Sequence, residues 1–214
     1  MNYLAHALLA EPHAYSVIGN LAGDLVKGRV EHHALHPRIA DGVRRHRRVD
    51  ALTDAHPRYL ELKDLFSREH RRIAPIVLDV LFDHYLTRDW SLLSTLDRDE
   101  FIDGVYAVLA HPEAPLPHAL RERVPRWVGA DWLRVYGDLD GVEAVLARLE
   151  RRTARHLPLT EALVAVQGCD AELRDGFHTV FGDVRASLDG LVHPREGSER
   201  LVSSRTLSSA CCDQ

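Results

Sequence analysis

The chain has 214 residues, 45% hydrophobic and 28% charged, which is enough apolar material to bury a sizeable core and too much for a disordered chain. Its formal net charge of −5 excludes a wholesale nucleic-acid binder and leaves room only for a local basic patch facing an acidic partner. Cys169 stands alone and Cys211 adjoins Cys212, so there is neither a disulfide framework nor a Cys-x-x-Cys metal pair. The opening MNYLAHALLAEP lacks a basic segment, and no apolar run approaches the roughly 18 residues of a membrane span, so a cytoplasmic protein without membrane contact is expected.

Helical periodicity runs through almost the whole chain, and no alternating run is bounded by hairpin turns. An all-α, single helical domain over 1–192 is predicted, followed by a flexible, Ser-rich tail over 193–214. Asn2 is positioned to cap a first short helix over 2–10, which Pro12 ends, and a second over 16–27 stops near Gly28. A third spans 37–54 and is closed by Pro57; short helical pieces over 59–66 lead to a fourth main helix over 72–90. Further helices are predicted over 99–110, 120–136, 139–152 and 159–191, separated by the Pro-rich HPEAPLP and by Gly or Pro breaks.

The chemistry lies in where charges fall on these helices. In the second, Val17, Leu21 and Asp24 share the i, i+4, i+7 stripe, which predicts that Asp24 points inward. In the third, the stripe Ile39, Val43 continues as His46, Asp50 and Asp54, so an apolar face turns into a ligand-like one. The fourth, LDVLFDHYLTRDW, repeats the device with Asp79 and Asp83, and His84 sits about 100° round from Asp83. Burying each such carboxylate costs several kcal/mol, roughly, unless something pairs with it.

Bland readings exist for some of these residues. His6 alone on a short amphipathic helix is an ordinary core histidine; Asp54, before AHP, suits local Asx-type bonding; Asp79 is within reach of an ion pair with Arg71 or Arg72. Asp24, His46, Asp50, Asp83 and His84 come from three helices, and a divalent cation would offset their desolvation together. A mixed oxygen and nitrogen set suits Mn²⁺, Mg²⁺ or Fe²⁺ better than structural zinc. No Glu-x-x-His occurs, which disfavours a dimetal carboxylate oxidase, so metal-assisted hydrolysis is the expected class.

Four blocks, MNYLAH, GNLAGDLVKG, HRRVDALTDAHP and RRIAPIVLDVLFDHYLTRDW, at these intervals resemble the acyl carrier protein phosphodiesterases, also called holo-acyl carrier protein hydrolases. The resemblance covers 1–90 and becomes diffuse beyond. It implies a fold related to the HD phosphohydrolases and a manganese-dependent hydrolysis. The implied substrate is holo-acyl carrier protein, cleaved at the phosphodiester that holds its 4'-phosphopantetheine arm. The motif residues carried over are His6, Asp24, His46, Asp50, Asp54, Asp79, Asp83 and His84. Of these, Asp24, His46, Asp50, Asp83 and His84 would hold metal, Asp24, His84 and His6 would serve catalysis, and Asp54 and Asp79 would support them. No His-Asp dipeptide occurs and positions 83 and 84 read Asp-His, so ligand roles do not transfer directly from ordinary HD enzymes.

Arg38, Arg44, Arg45, Arg47 and Arg48 accompany a single aspartate between 38 and 48. The cluster is either a solvated helix face or a dock for the acidic carrier protein, with Arg44, Arg45, Arg47 and Arg48 nearest His46. Two other functions remain open at this level: an HD-type phosphohydrolase of nucleotides or other small phosphoesters, and a non-enzymatic helical binding protein whose inward acids are ion pairs.

Overall fold

The computed structural model describes residues 1–152 and 157–190, and these are helical with no strand. The predicted tail over 193–214 lies outside the described residues. The helices are α1 (Tyr3–Leu8), α2 (Ala14–Ala22), α3 (Pro37–Ala55), α4 (Pro57–Asp64), α5 (Ala74–Arg88), α6 (Trp90–Leu93), α7 (Arg98–Ala110), α8 (His118–Arg121), α9 (Val124–Gly129), α10 (Leu139–Arg152), α11 (Leu159–Val166) and α12 (Asp170–Asp189). No helix among the described residues is long and apolar enough to cross a membrane.

α5 is the axis of the core. Val77, Leu78, Leu81, Phe82, Tyr85 and Leu86 are buried around its circumference, because α1, α10, α11, α12 and a 3₁₀ turn at Val135–Gly137 pack on it from different sides. Such burial removes the one-sided apolar stripe of a surface helix. Phe82, Phe177 and Phe181 form an aromatic spine between α5 and α12, with Phe82 and Phe177 meeting edge-on at 5.3 Å between centroids.

The closest crossing is α2 against α3, and glycine makes it possible. A Cβ on Gly19 would stand 2.7 Å from the Gly42 Cα, and one on Gly42 would stand 2.8 Å from the Ser16 carbonyl oxygen. Backbone therefore packs on backbone, which fixes the register of the two helices. α3 begins sharply because Pro37 occupies its first turn and the His36 side chain accepts from the Arg38 N–H; His56 and Pro57 repeat this at α4.

Several predicted helices are shorter or broken. The predicted 120–136 helix is α8, α9 and a 3₁₀ turn, since Pro125 sits in the first turn of a new helix and Asp131 turns the chain at φ 47°. The predicted 159–191 helix is α11 and α12, divided by a 3₁₀ segment at Gln167–Cys169 containing Gly168. α2 ends at Ala22, so Asp24 lies beyond the helix with 60% of its side chain exposed, not inward on the stripe as its spacing predicts. Asn2 begins α1 but makes no side-chain cap; its amide donates to the Tyr136 hydroxyl at 2.8 Å.

Candidate metal centre

α1 and α3 bring two imidazoles and a carboxylate to one point. His6 and His46 are 2% and 3% exposed, and their rings stack at 3.9 Å between centroids. The His6 Nε2 lies 3.1 Å from Asp50 Oδ1, and the His46 Nε2 lies 3.1 Å from Asp50 Oδ2. One ligand atom from each of His6, His46 and Asp50 falls within 4.8 Å of the others. Asp24 adds a fourth group, its Oδ1 3.6 Å from His46 Nε2. The loop after α2 supplies it, and the ring of His46 lies directly against Gly23, where a side chain would collide with it.

The electrostatics of this group are those of ligands held together without a full complement of protons. Burial holds His6 down to about 4, with His46 beside it acting in the same direction against Asp50. Burial also opposes charge on His46, but the Asp24 and Asp50 carboxylates outweigh it and raise it to about 9. One stacked imidazole therefore carries the proton that the other cannot take. Asp50 is held well below the usual carboxylate range, because both imidazoles outweigh its own burial. The Nδ1 atoms of His6 and His46 are buried without hydrogen-bond partners. Two imidazoles, a bidentate-capable carboxylate and an exposed fourth acid form a donor set that fits Mn²⁺ or Fe²⁺, with positions left open.

The aspartates of LDVLFDHYLTRDW find other partners. Asp79 accepts from the buried amino group of Met1 at 2.9 Å, which also lies 4.0 Å from Asp50; neither Arg71 nor Arg72 takes this place, and Arg71 pairs with Asp64. Asp83, fully buried, accepts from the N–H groups of Leu4 and Ala5 at 2.8 and 3.0 Å. It thus caps α1 from a distance, supplying what Asn2 does not. Burial raises its carboxyl to about 7 against those two donors. His84 meets the Tyr136 carbonyl through Nδ1 at 2.9 Å. Asp89 accepts a fork from Arg174 at 2.6 and 2.8 Å and also contacts His178 at 2.7 Å.

The structure thus brings together His6, His46, Asp50 and Asp24, with Asp79 joined to them through the amine. Asp83 and His84 stand outside the group whose donor atoms converge. Asp54 is exposed one turn beyond Asp50, and partial burial raises its carboxyl. The arginine cluster is divided: Arg44 pairs with Glu31 and Asp41, Arg45 donates to the Leu9 carbonyl and Arg47 to the Val26 carbonyl, while Arg48 is exposed and makes no ion pair among the described residues.

Three contributors escaped the reading of helical stripes: the Met1 amine, Gly23, and Tyr3, whose ring packs at a tilt on Trp127 at 4.6 Å between centroids. Only Gly23 carried a signal, because Gly19 and Gly23 are four residues apart and mark a face made for close approach.

Fold and site define a helical protein with a buried two-histidine, one-carboxylate centre between its first and third helices. Residues 1–184 match the family described as acyl carrier protein phosphodiesterase. A protein so named from Shigella boydii serotype 18 is 39% identical over 160 residues, covering 72% of this chain and 80% of its own. One from Serratia proteamaculans is 35% identical over 180 residues, covering 83% and 89%. One from Photorhabdus laumondii is 37% identical over 156 residues, covering 72% and 78%. The chain belongs to the acyl carrier protein phosphodiesterase family. No solved structure matches it, so the implied kinship with the HD phosphohydrolase fold has no structural counterpart.

Proposed function

We propose that this protein is a divalent-metal-dependent phosphodiesterase. Its substrate is holo-acyl carrier protein, and its products are apo-acyl carrier protein and free 4'-phosphopantetheine. Membership of the family supplies the reaction, and one observation carries its chemistry: His6, His46 and Asp50 present donor atoms within 4.8 Å of one another, with both imidazoles buried. These three hold the cation, and Asp24 completes the set from the exposed side. Mn²⁺ is the cation the donor set favours, with Mg²⁺ and Fe²⁺ as alternatives. When bound, it supplies neutralisation of charge on a phosphoryl oxygen and a lowered pKa for water.

The remaining polar residues position the ligands. Asp83 holds the first turn of α1 through two N–H groups, and that turn carries His6 one helical turn further on. The Met1 amine balances Asp50 and Asp79, which face each other across it. His84 fixes the 3₁₀ turn at Tyr136, whose hydroxyl in turn accepts from Asn2. Arg38 and Arg48, both exposed on α3, offer an acidic carrier protein their positive charge.

Mass spectrometry of holo-acyl carrier protein after incubation with the protein and Mn²⁺ tests the reading. Loss of the whole 4'-phosphopantetheine mass supports it. Phosphate release from free nucleotides without that loss favours the small-phosphoester reading, and purified protein without stoichiometric metal favours a binding protein.

A further inference from the structure

We infer that Arg45 and Arg47, the two neighbours of His46 on α3, are positioning residues of the metal centre: Arg45 clamps the end of α1, which carries His6, and Arg47 clamps the loop after α2, which carries Asp24. The inference rests on the metal centre proposed above and takes both arginines out of the docking face that the sequence suggests for them.

The course of α3 sets up the clamp. Successive residues of a helix point about 100° apart, so with His46 aimed at the centre, Arg45 and Arg47 leave the helix on opposite flanks of it. On one flank the Arg45 Nε donates to the Leu9 carbonyl at 2.6 Å, and on the other the Arg47 Nη2 donates to the Val26 carbonyl at 2.6 Å. Both are short, as hydrogen bonds from a charged donor are. Leu9 lies three residues beyond His6, and Val26 lies two beyond Asp24.

Neither carbonyl has another partner. Leu9 and Val26 are 3% and 4% exposed, and among the described residues no backbone N–H reaches their oxygens. A buried carbonyl without a donor is costly, so each guanidinium is the group that lets its segment lie against α3. The segments need such a tie. α1 has six residues, too few to hold a helix by its own hydrogen bonds, and the chain from 23 to 29 is turns and irregular backbone. Asp83 holds the first turn of α1 and Arg45 reaches the carbonyl just past its end, which leaves His6 fixed between two ties. Asp24 is fixed in the same way, between Gly23, packed on the His46 ring, and Val26, held by Arg47.

A double-mutant cycle on the full chain, read as Mn²⁺ affinity by calorimetry, tests the clamp. Arg47→Met keeps the aliphatic stem and removes the donors, and is expected to weaken Mn²⁺ binding by roughly tenfold, the lower range for a residue that stands behind a ligand. Combined with Asp24→Asn it should cost little further, because the group it positions has already lost its charge. Arg45→Met should weaken binding to a similar degree but equally with and without Asp24→Asn, since it acts through His6. Arg47→Lys should recover part of the affinity. In the metal-free protein, amide exchange should quicken over 24–27 in Arg47→Met and over 6–9 in Arg45→Met, each leaving the other segment as in the wild type. Wild-type Mn²⁺ affinity in the folded methionine variants, equal losses from Arg47→Met with and without Asp24→Asn, or exchange that quickens throughout the chain overturns the clamp. Should a methionine variant fail to fold, the corresponding lysine variant carries the same cycle. Release of 4'-phosphopantetheine is read separately: its failure with the coupling intact rejects the substrate and keeps the clamp, and the exchange rates judge the clamp even where no Mn²⁺ binds.

Discussion

Gly23→Ala puts the geometry of the centre under the most direct test. The new methyl group would overlap the His46 imidazole and stand 2.6 Å from its Nδ1, whereas ordinary contact begins near 3.4 Å. The ring has little room to yield, because it is stacked on His6 at 3.9 Å and tied to Asp50 at 3.1 Å. Overpacking of this kind costs about 1–3 kcal/mol. Gly23 has helical angles, φ −51° and ψ −47°, so alanine returns up to about 1 kcal/mol through backbone entropy. The net loss is then about 0–3 kcal/mol, a fall in melting temperature of up to about 10 °C for a chain of this size. Mn²⁺ affinity should fall much further than stability, by tenfold or more, because a displacement near 1 Å moves a ligand out of a shell with distances set to within ±0.2 Å. Calorimetric Mn²⁺ titration beside a thermal melt reads both quantities. Wild-type Mn²⁺ affinity in a folded Gly23→Ala protein would refute the placement of His46 at the metal.

Gly19→Ala, which forces a methyl against the Gly42 Cα at 2.7 Å, should instead destabilise the whole fold, while Gly104→Ala, whose methyl meets nothing within 4 Å, should stabilise slightly; chemical denaturation ranks the pair. His46→Ala and Asp50→Ala should abolish stoichiometric Mn²⁺ while keeping the helical circular dichroism, and retained metal in both would remove the centre. Asp83→Ala leaves two buried N–H groups without acceptors, so a loss of about 2–5 kcal/mol is expected in urea unfolding. For the metal-free protein the sign of the pH dependence follows from the two imidazoles. His46, raised to about 9, contributes stability that is full below the unfolded value of 6.5 and lost as pH rises towards 9; His6, lowered to about 4, contributes stability present above 6.5 and lost as pH falls towards 4. The melting temperature should therefore peak near pH 6.5 without metal, and a flat profile from 4 to 9 would contradict the coupling. Arg48→Glu combined with Arg38→Glu should raise KM for holo-acyl carrier protein and weaken its salt dependence, since steering between opposite charges is screened over about 8 Å at physiological ionic strength; unchanged kinetics would make that face a solvated surface.

What the sequence determined by itself was the helical class, the coarse positions of the helices and the stripe on α3 that carries His46 and Asp50. These depend on local periodicity, which survives whatever the helix packs against. Sequence periodicity also marked the acids of LDVLFDHYLTRDW as too costly to bury alone, and for the buried Asp83 and Asp89 that cost is real. Their partners were decided only by tertiary structure: an amino group 78 residues away for Asp79, two N–H groups of α1 for Asp83, and a guanidinium fork 85 residues away for Asp89. Helical spacing states which face a carboxylate occupies but carries no information about which chain end or backbone donor will meet that face. His6 shows the same limit, since its short helix gives it no distinguishing pattern, and only the docking of α1 beside α3 stacks its ring on His46. Asp24 marks the converse. Its stripe predicts burial, yet α2 stops at Ala22, and the carboxylate is left exposed at the edge of the centre, 3.6 Å from His46.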